Sequence, residues 1–456
     1  MELETGPNVF NEVPDAMLPQ DFLLLLPTFS QCFTAPTFQR FVTVVTGWIL
    51  CVGKHTVTGV LRGAGVVGKA HHSGYHWFFS GAKWATDKVG LALLGLVLKL
   101  VPAGETVTVT VDDTLARHKG KHIHGAAFHR DPMLSGLSKV AYSFGHCWVV
   151  LGVVVVLQRW EKAFCLPVLV RLYRPKNLCT GRGGAPYRKK TELVAEMVAL
   201  LANALGNRRF VVLGDQAYVN SSVVRRLPAS ADIVGRARMD AALYAPPPRN
   251  RKPGPGRPRI KGERLPSPAQ RISGRKWRTV RPLAYGRRVR VQVQVFDALW
   301  YIVGHGRLMR FVLIRGWPGH NKPDLLVTTD TTMTAEQVIT RYCHRWSIEE
   351  TFRWAKGRLG FEDPQSRTEG AVTRTAPMAL WVYSLVVLWY ARWSKRRTTL
   401  PFRPAPWNTT KTTPSFSDML AALRRQSWML LISDPAAPDR FDQKHLAPLL
   451  DAASYG

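Results

Sequence analysis

Between Arg341 and Lys356 the chain reads RYCHRWSIEETFRWAK, which spaces a phenol, a guanidinium, a carboxylate and an ammonium at Tyr342, Arg345, Glu349 and Lys356. On a single α-helix, at roughly 100° per residue, the four side chains fall within about 60° of arc and share a face. A lone carboxylate among cations suits a place where a metal ion meets a phosphate: the acid holds the metal and the basic groups hold the phosphate oxygens. A solvated charged face is the plainer alternative. Thr334 and Gln337 have the spacing of a capping box that would start this helix. Ile348, Phe352, Ala355 and Leu359 form an adjoining apolar stripe that would bury it and fix the edge carrying Glu349.

Two further acids stand at the ends of predicted strands. TVTVTVD, beginning at Thr106, alternates Val and Thr and runs into Asp112 and Asp113; Arg209 to Leu213 is a short apolar strand followed by Gly214 and Asp215. Asp113 competes with Asp112, but the alternation puts Asp112 on the face of Thr106, Thr108 and Thr110 while Asp113 follows the valines, which favours Asp112. Between these strands lie β-rich runs at 145–158 and 163–173 and a helical period at 191–205. Three strands, a helix and a strand, with an acid at the tip of the first and the fourth, describe an α/β chain with a ribonuclease-H-like mixed sheet; other α/β layers would tolerate the same order. Asp112, Asp215 and Glu349 are far apart in sequence and can meet only through the fold. Together they describe a site in which two Mg²⁺ ions about 4 Å apart activate a water or hydroxyl and stabilise a departing oxygen.

The elements that must position these acids occupy only part of the chain. With 456 residues and 46% hydrophobic content there is material for two or three cores. Residues 1–100 read as a helical N-terminal region, 101–239 and 329–395 as two parts of the catalytic core, 240–328 as a basic, β-rich insertion, and 396–456 as a C-terminal tail able to contact DNA or a partner subunit. Between Arg249 and Arg290 there are fifteen Lys or Arg and one acid, Glu263, a composition suited to lying on a phosphate backbone. Within it, Gly256-Arg257-Pro258-Arg259 looks like an AT-hook core, whose Arg257 and Arg259 would enter a minor groove; non-specific phosphate contact is the alternative. Trp277, Trp300 and Trp317 could stack on an unpaired base or simply pack.

The 63 Lys plus Arg outnumber the 31 Asp plus Glu, giving a net charge of +32 and a pI near 10.5, as expected of a nucleic-acid partner. The apolar run 376–391 is short for a membrane span and holds Pro377, and the N-terminus is acidic, so a soluble cytoplasmic protein is expected. Six cysteines without a CxxC pair support neither a disulfide framework nor a cysteine zinc site. Gly63 to Ala70 imitates a phosphate-binding loop but carries Ala70 where a magnesium-binding hydroxyl is required. His118, His122, His124 and His129 cluster among basic residues and read as loop residues near DNA rather than zinc ligands.

The spacing Tyr342-x2-Arg345-x3-Glu349-x6-Lys356, with V-D-D-T at 111–114 and L-G-D-Q-A-Y at 213–218, resembles the DDE transposases of bacterial insertion sequences, in the branch with a β-rich insertion before the glutamate. The likeness runs from about 105 to 370. It implies metal binding by Asp112, Asp215 and Glu349, with two Mg²⁺ that Mn²⁺ could replace, and phosphate contacts by Tyr342, Arg345 and Lys356. It further implies hydrolysis that frees a 3′-hydroxyl at the element's end, attack of that hydroxyl on target DNA, a homodimer on paired ends, and a bacterial, nucleoid-associated location. A nuclease without strand transfer, or a catalytically silent DNA-binding regulator, are the alternatives.

Overall fold

The computed structural model describes residues 17–120, 122–136, 138–179, 186–248, 259–273, 277–319, 322–397, 409–433, 450 and 453–454. Helices α1 (Gln20–Leu23), α2 (Ala35–Leu50), α3 (Val57–Gly63), α4 (His72–Ser80) and α5 (Thr86–Leu98) come first. Strands β1 (Val107–Arg117), β2 (Ala127–Arg130), β3 (Tyr142–Leu157) and β4 (Lys162–Tyr173) follow, then α6 (Lys190–Leu205), β5 (Phe210–Gly214), α7 (Ser221–Val224) and β6 (Ala231–Arg236). The basic section supplies β7 (Arg278–Val280), β8 (Leu283–Ala284), β9 (Arg287–Arg288), β10 (Val291–Leu299), α8 (Tyr301–Gly304) and β11 (Leu308–Arg315). The remainder is β12 (Asp324–Thr328), α9 (Ala335–His344), α10 (Trp346–Arg358), α11 (Glu369–Trp393) and α12 (Phe416–Ile432).

One ten-stranded sheet organises the molecule. From one side β4 pairs antiparallel with β3 and β3 with β1; β1, β5 and β6 then run parallel. That mixed sheet with a covering helix is the ribonuclease-H-like arrangement expected from the sequence. The strands of the basic section do not form a body of their own: β12 pairs antiparallel with β6, β11 with β12, β10 with β11 and β7 with β10, so the sheet simply continues. Aliphatic residues on both faces of β10 to β12 explain this, because Leu313, Leu325 and Val327 enter one core and Val293, Val312, Ile314 and Leu326 the other.

In β1 the period of two divides the side chains. Val107, Val109 and Val111 enter the larger core, and Thr108, Thr110 and Asp112 point to the opposite face. The N-terminal helices share that larger core with the sheet, α11 and α12. Gly90 of α5 lies where a Cβ would stand 2.0 Å from the Val168 carbonyl oxygen of β4, so only glycine permits this approach. By length and composition α11 could cross a membrane, but it is a core helix, with Trp381 Nε1 and Ser384 Oγ donating to the Val168 and Pro167 carbonyls. Helix α12 likewise belongs to the core; the buried Arg424 donates to the Ile49 and Cys51 carbonyls of the α2 end.

The seam between β5, β6 and β12 is held by a buried acid. Asp232 receives Arg209 Nη2 at 2.5 Å, Arg307 Nη2 at 2.7 Å and Thr329 Oγ1 at 2.8 Å, and its side chain is 5% exposed. Removing both cations strands a buried carboxylate, whereas an amide at the acid removes the charge itself. Arg209→Ala with Arg307→Ala should therefore destabilise by about 3–5 kcal/mol and Asp232→Asn by about 1–2 kcal/mol. Urea unfolding checks this, and equal losses would contradict it.

Candidate active site

The register of the parallel pair β1/β5 decides where the first two acids stand. Val107 faces Phe210 and Thr110 faces Leu213; carried two residues further, the same offset sets Asp112 beside Asp215, on strands about 4.8 Å apart. Leu213 packs in the smaller core beneath α9, so Asp215, two residues on, leaves its strand toward the face that carries Asp112. Asp215 folds its own loop: one carboxylate oxygen accepts the amides of Ala217 at 2.9 Å and Tyr218 at 3.2 Å.

Asp113 faces the other way and is fully engaged there. It accepts Lys190 Nζ at 2.6 Å, Tyr218 Oη at 2.7 Å and Cys147 Sγ at 3.3 Å. Burial alone would raise its carboxyl, but the Lys190 charge and these hydrogen bonds more than reverse that and hold it below the usual carboxylate range. Tyr218 thus ties the loop that begins at Asp215 to the strand that carries Asp112, which makes Asp113 a positioning residue beneath the site.

The expected single helix is two. It breaks between α9 and α10 at Arg345, where the Arg345 and Ile348 amides bond three residues back in a tightened turn. Thr334 and Gln337 form the capping box of α9, and Ile348, Phe352, Ala355 and Leu359 are all buried. At the junction Arg345 Nη1 reaches Asp112 at 3.0 Å and Nη2 reaches Glu349 at 2.6 Å, with the Tyr342 ring 5.8 Å from the guanidinium. Burial opposes the charge on Arg345, and Tyr342, Asp112 and Glu349 together outweigh it. Lys356 stands apart from this group, donating to the Leu115 carbonyl at 2.6 Å and facing Glu362 at 3.5 Å.

Burial drives the Asp112 carboxyl up to about 7; Arg345 opposes the rise, and the charges of Asp113 and Asp215 add to it. Carboxylate oxygens are the right donors for a hard divalent ion. In this structure the cation between Asp112 and Glu349 is the Arg345 guanidinium, and among the described residues no three His, Cys, Asp or Glu side chains converge as a metal ligand set. The donor chemistry fits a divalent metal once that guanidinium moves aside.

Sequence reasoning missed Tyr285. It sits at the tip of the β8/β9 hairpin with φ of +51°, followed by Gly286 at +80°, the pair of left-handed residues that a tight hairpin turn demands. Burial of its hydroxyl, then the proximity of Cys343 and Tyr342, raises it to about 12, and Arg345 and Glu349 lie near enough to act on it, so the hairpin tip lies near the start of α10. Tyr-Gly between two short strands was the available signal. Of the tryptophans, Trp300 is buried against Phe311 and cannot take up a base, Trp277 lies under the Arg315 guanidinium, and Trp317 meets Tyr285 edge-on. Arg259 is exposed; Arg257 lies outside the described residues. His118 and His146 pack edge to face, and His124 faces Glu369 at 3.7 Å.

Comparison with known families adds one finding. The model described as "DDE superfamily endonuclease" matches residues 28–297, more than half of the chain, including Asp112 and Asp215 and ending before Glu349. No curated protein matches.

A carboxyl raised in the folded chain from 3.8 to about 7 favours folding while protonated, so its penalty is absent below about pH 4, grows as pH rises and is complete above about pH 7. Asp112→Asn should match wild type in thermal stability at pH 4 and exceed it at pH 8, by at most about 4 kcal/mol. A loss of stability at pH 8 would contradict this.

Proposed function

The chain belongs to the DDE superfamily of endonucleases, and we propose on that footing that it is a DNA transposase of an insertion sequence, cutting at the element's ends and joining the freed 3′-hydroxyl to target DNA. The observation that carries the reading is the conjunction of Asp112 and Asp215, in register on adjacent parallel strands, with Glu349 joined to Asp112 through Arg345. Asp112, Asp215 and Glu349 would hold Mg²⁺ or Mn²⁺, which when bound polarises a phosphate and activates the attacking oxygen. The net charge of +32 supports a polyanionic substrate.

The protein's own groups have separable tasks. The buried β1/β5 pairing fixes two carboxylates without side-chain rearrangement, and α10 is anchored by its buried stripe and by Thr351 Oγ1 bonding the Cys165 carbonyl of β4. Arg345 offsets part of the charge of Asp112 and Glu349 before substrate arrives. With those carboxylates holding a divalent cation instead, the guanidinium would be free to turn to a phosphate, where its planar donors suit two oxygens at once. Tyr342, against the guanidinium, limits where it can go. In the first step water attacks phosphorus and the 3′-oxygen of the element leaves; in the second that oxygen attacks a target phosphate and the target's 3′-oxygen leaves. Phosphodiester bonds are conserved in the second step, so no external energy source is needed. A homodimer on paired ends would align two such sites with one target.

Two experiments test this. Protein with Mn²⁺, labelled DNA carrying the gene's own flanking ends and a supercoiled target should give cleaved and joined products, and Glu349→Gln should lower both by about 10³-fold or more. A pre-cut end with a 3′-hydroxyl should be joined to target, and the same pre-cut end with a 3′-deoxy terminus should be bound but not joined. Binding without cleavage would favour the regulator, and cleavage without joining a simple nuclease. Separately, Arg345→Gln should tighten Mn²⁺ binding in the absence of DNA by about tenfold, read by paramagnetic titration, since one competing cation is removed. Weaker Mn²⁺ binding would contradict the competition.

A further inference from the structure

Beside the acids, on the same face of the sheet, lies a cavity of about 960 Å³. Its floor is the start of β1, at Thr106 and Thr108, and the end of β3; its walls are α9, the base of the β8/β9 hairpin and the turn that follows α11. Thr108 precedes Asp112 by four residues on one face of one strand, about 13 Å. Arg341, in the cavity wall, precedes Arg345 by one helical turn.

Six cations line it: Lys99, Arg159, Arg281, Arg288, Arg341 and Lys395. Two acids, Glu105 and Glu336, oppose them, and Glu336 is committed to the Arg281 backbone amide at 2.8 Å. Elsewhere in the core Arg171 spends its charge internally, on Asp87 and Glu196. Among the described residues Lys99, Arg281, Arg288, Arg341 and Lys395 make no ion pair, and Arg341 Nη1 is buried with no hydrogen-bond partner. A buried guanidinium nitrogen without an acceptor is costly unless a ligand supplies one. Six cations against two acids favour an anionic ligand over a neutral one, while the threonine hydroxyls and the apolar rims of Pro282 and Leu283 suit a sugar-phosphate chain.

We propose that this cavity holds the phosphodiester backbone of the DNA strand next to the scissile phosphate, so that Arg281, Arg288, Arg341 and Lys395 fix the strand whose phosphate reaches Asp112. This rests on the DNA-cutting reading above. It gives the base of the β8/β9 hairpin the duty of gripping the strand, through Arg281 and Arg288.

The salt dependence of binding to end DNA tests the assignment. Each phosphate contact contributes about 0.9 to the slope of log K against log salt on duplex DNA, so Arg288→Gln, Arg341→Gln and Lys395→Gln combined should flatten the slope by about 2 to 3 in the full-length protein, with folding checked by circular dichroism. Single methylphosphonates walked along the strand should locate the contact: neutralising one phosphate beside the cut weakens wild type, and has little further effect on the Arg288→Gln protein. An unchanged slope in the triple variant, with a wild type that binds and cuts, overturns the cavity alone. Methylphosphonate effects that simply add to the Arg288→Gln loss at every position overturn it as well. A slope that falls as expected in a protein that never cuts keeps the cavity and removes the enzymatic reading.

Discussion

Parallel pairing of β1 with β5 is the constraint on which the rest depends. Parallel neighbours align residue for residue, and the offset set by Val107 and Phe210 is the offset between Asp112 and Asp215. Two carboxylates at neighbouring strand ends, backed by buried valines, repel each other. Burial makes Asp112 hard to ionise, and the structure compensates with Arg345. The sheet that holds two acids in that position is backed by a large core, with α5, α10 and α11 packed on β4 and α12 on α11.

Arg345 links the site to the chain's wider charge pattern. A guanidinium bridging Asp112 and Glu349 offsets part of their charge in the resting site. Its place at the break between α9 and α10 matters, because a residue at a helix junction can redirect its side chain without disturbing the buried stripe of α10. Helix α9, just before that break, presents Arg341 to the neighbouring cavity.

Much of this was legible in the sequence, for reasons that can be traced. The Val/Thr alternation of β1 separated Asp112 from Asp113 because a period of two assigns faces unambiguously. The capping box at Thr334 and the stripe from Ile348 to Leu359 located the helices, since both depend only on local spacing. What was hidden depended on distant partners. The break at Arg345 has no local breaker, since Arg345 keeps helical backbone angles. Strand β6 was absent from the reading, and the basic section was taken for an insertion, because strand pairing is a long-range property that a run of aliphatic residues does not announce. Trp300 looked available until Phe311 was seen to cover it. Tyr285 went unremarked because its left-handed backbone has no signature in hydrophobic periodicity.

The central claim is that Asp112, Asp215 and Glu349 share one metal centre. Loading the protein with Fe²⁺ and adding ascorbate generates hydroxyl radicals at the bound metal, which cut the nearby backbone. The account predicts cuts clustered near residues 112, 215 and 349, all suppressed together by excess Mg²⁺ and lost together in Asp215→Asn. Cuts near 112 and 215 that leave the start of α10 intact, or cuts centred on the histidines at 118–129, would contradict it.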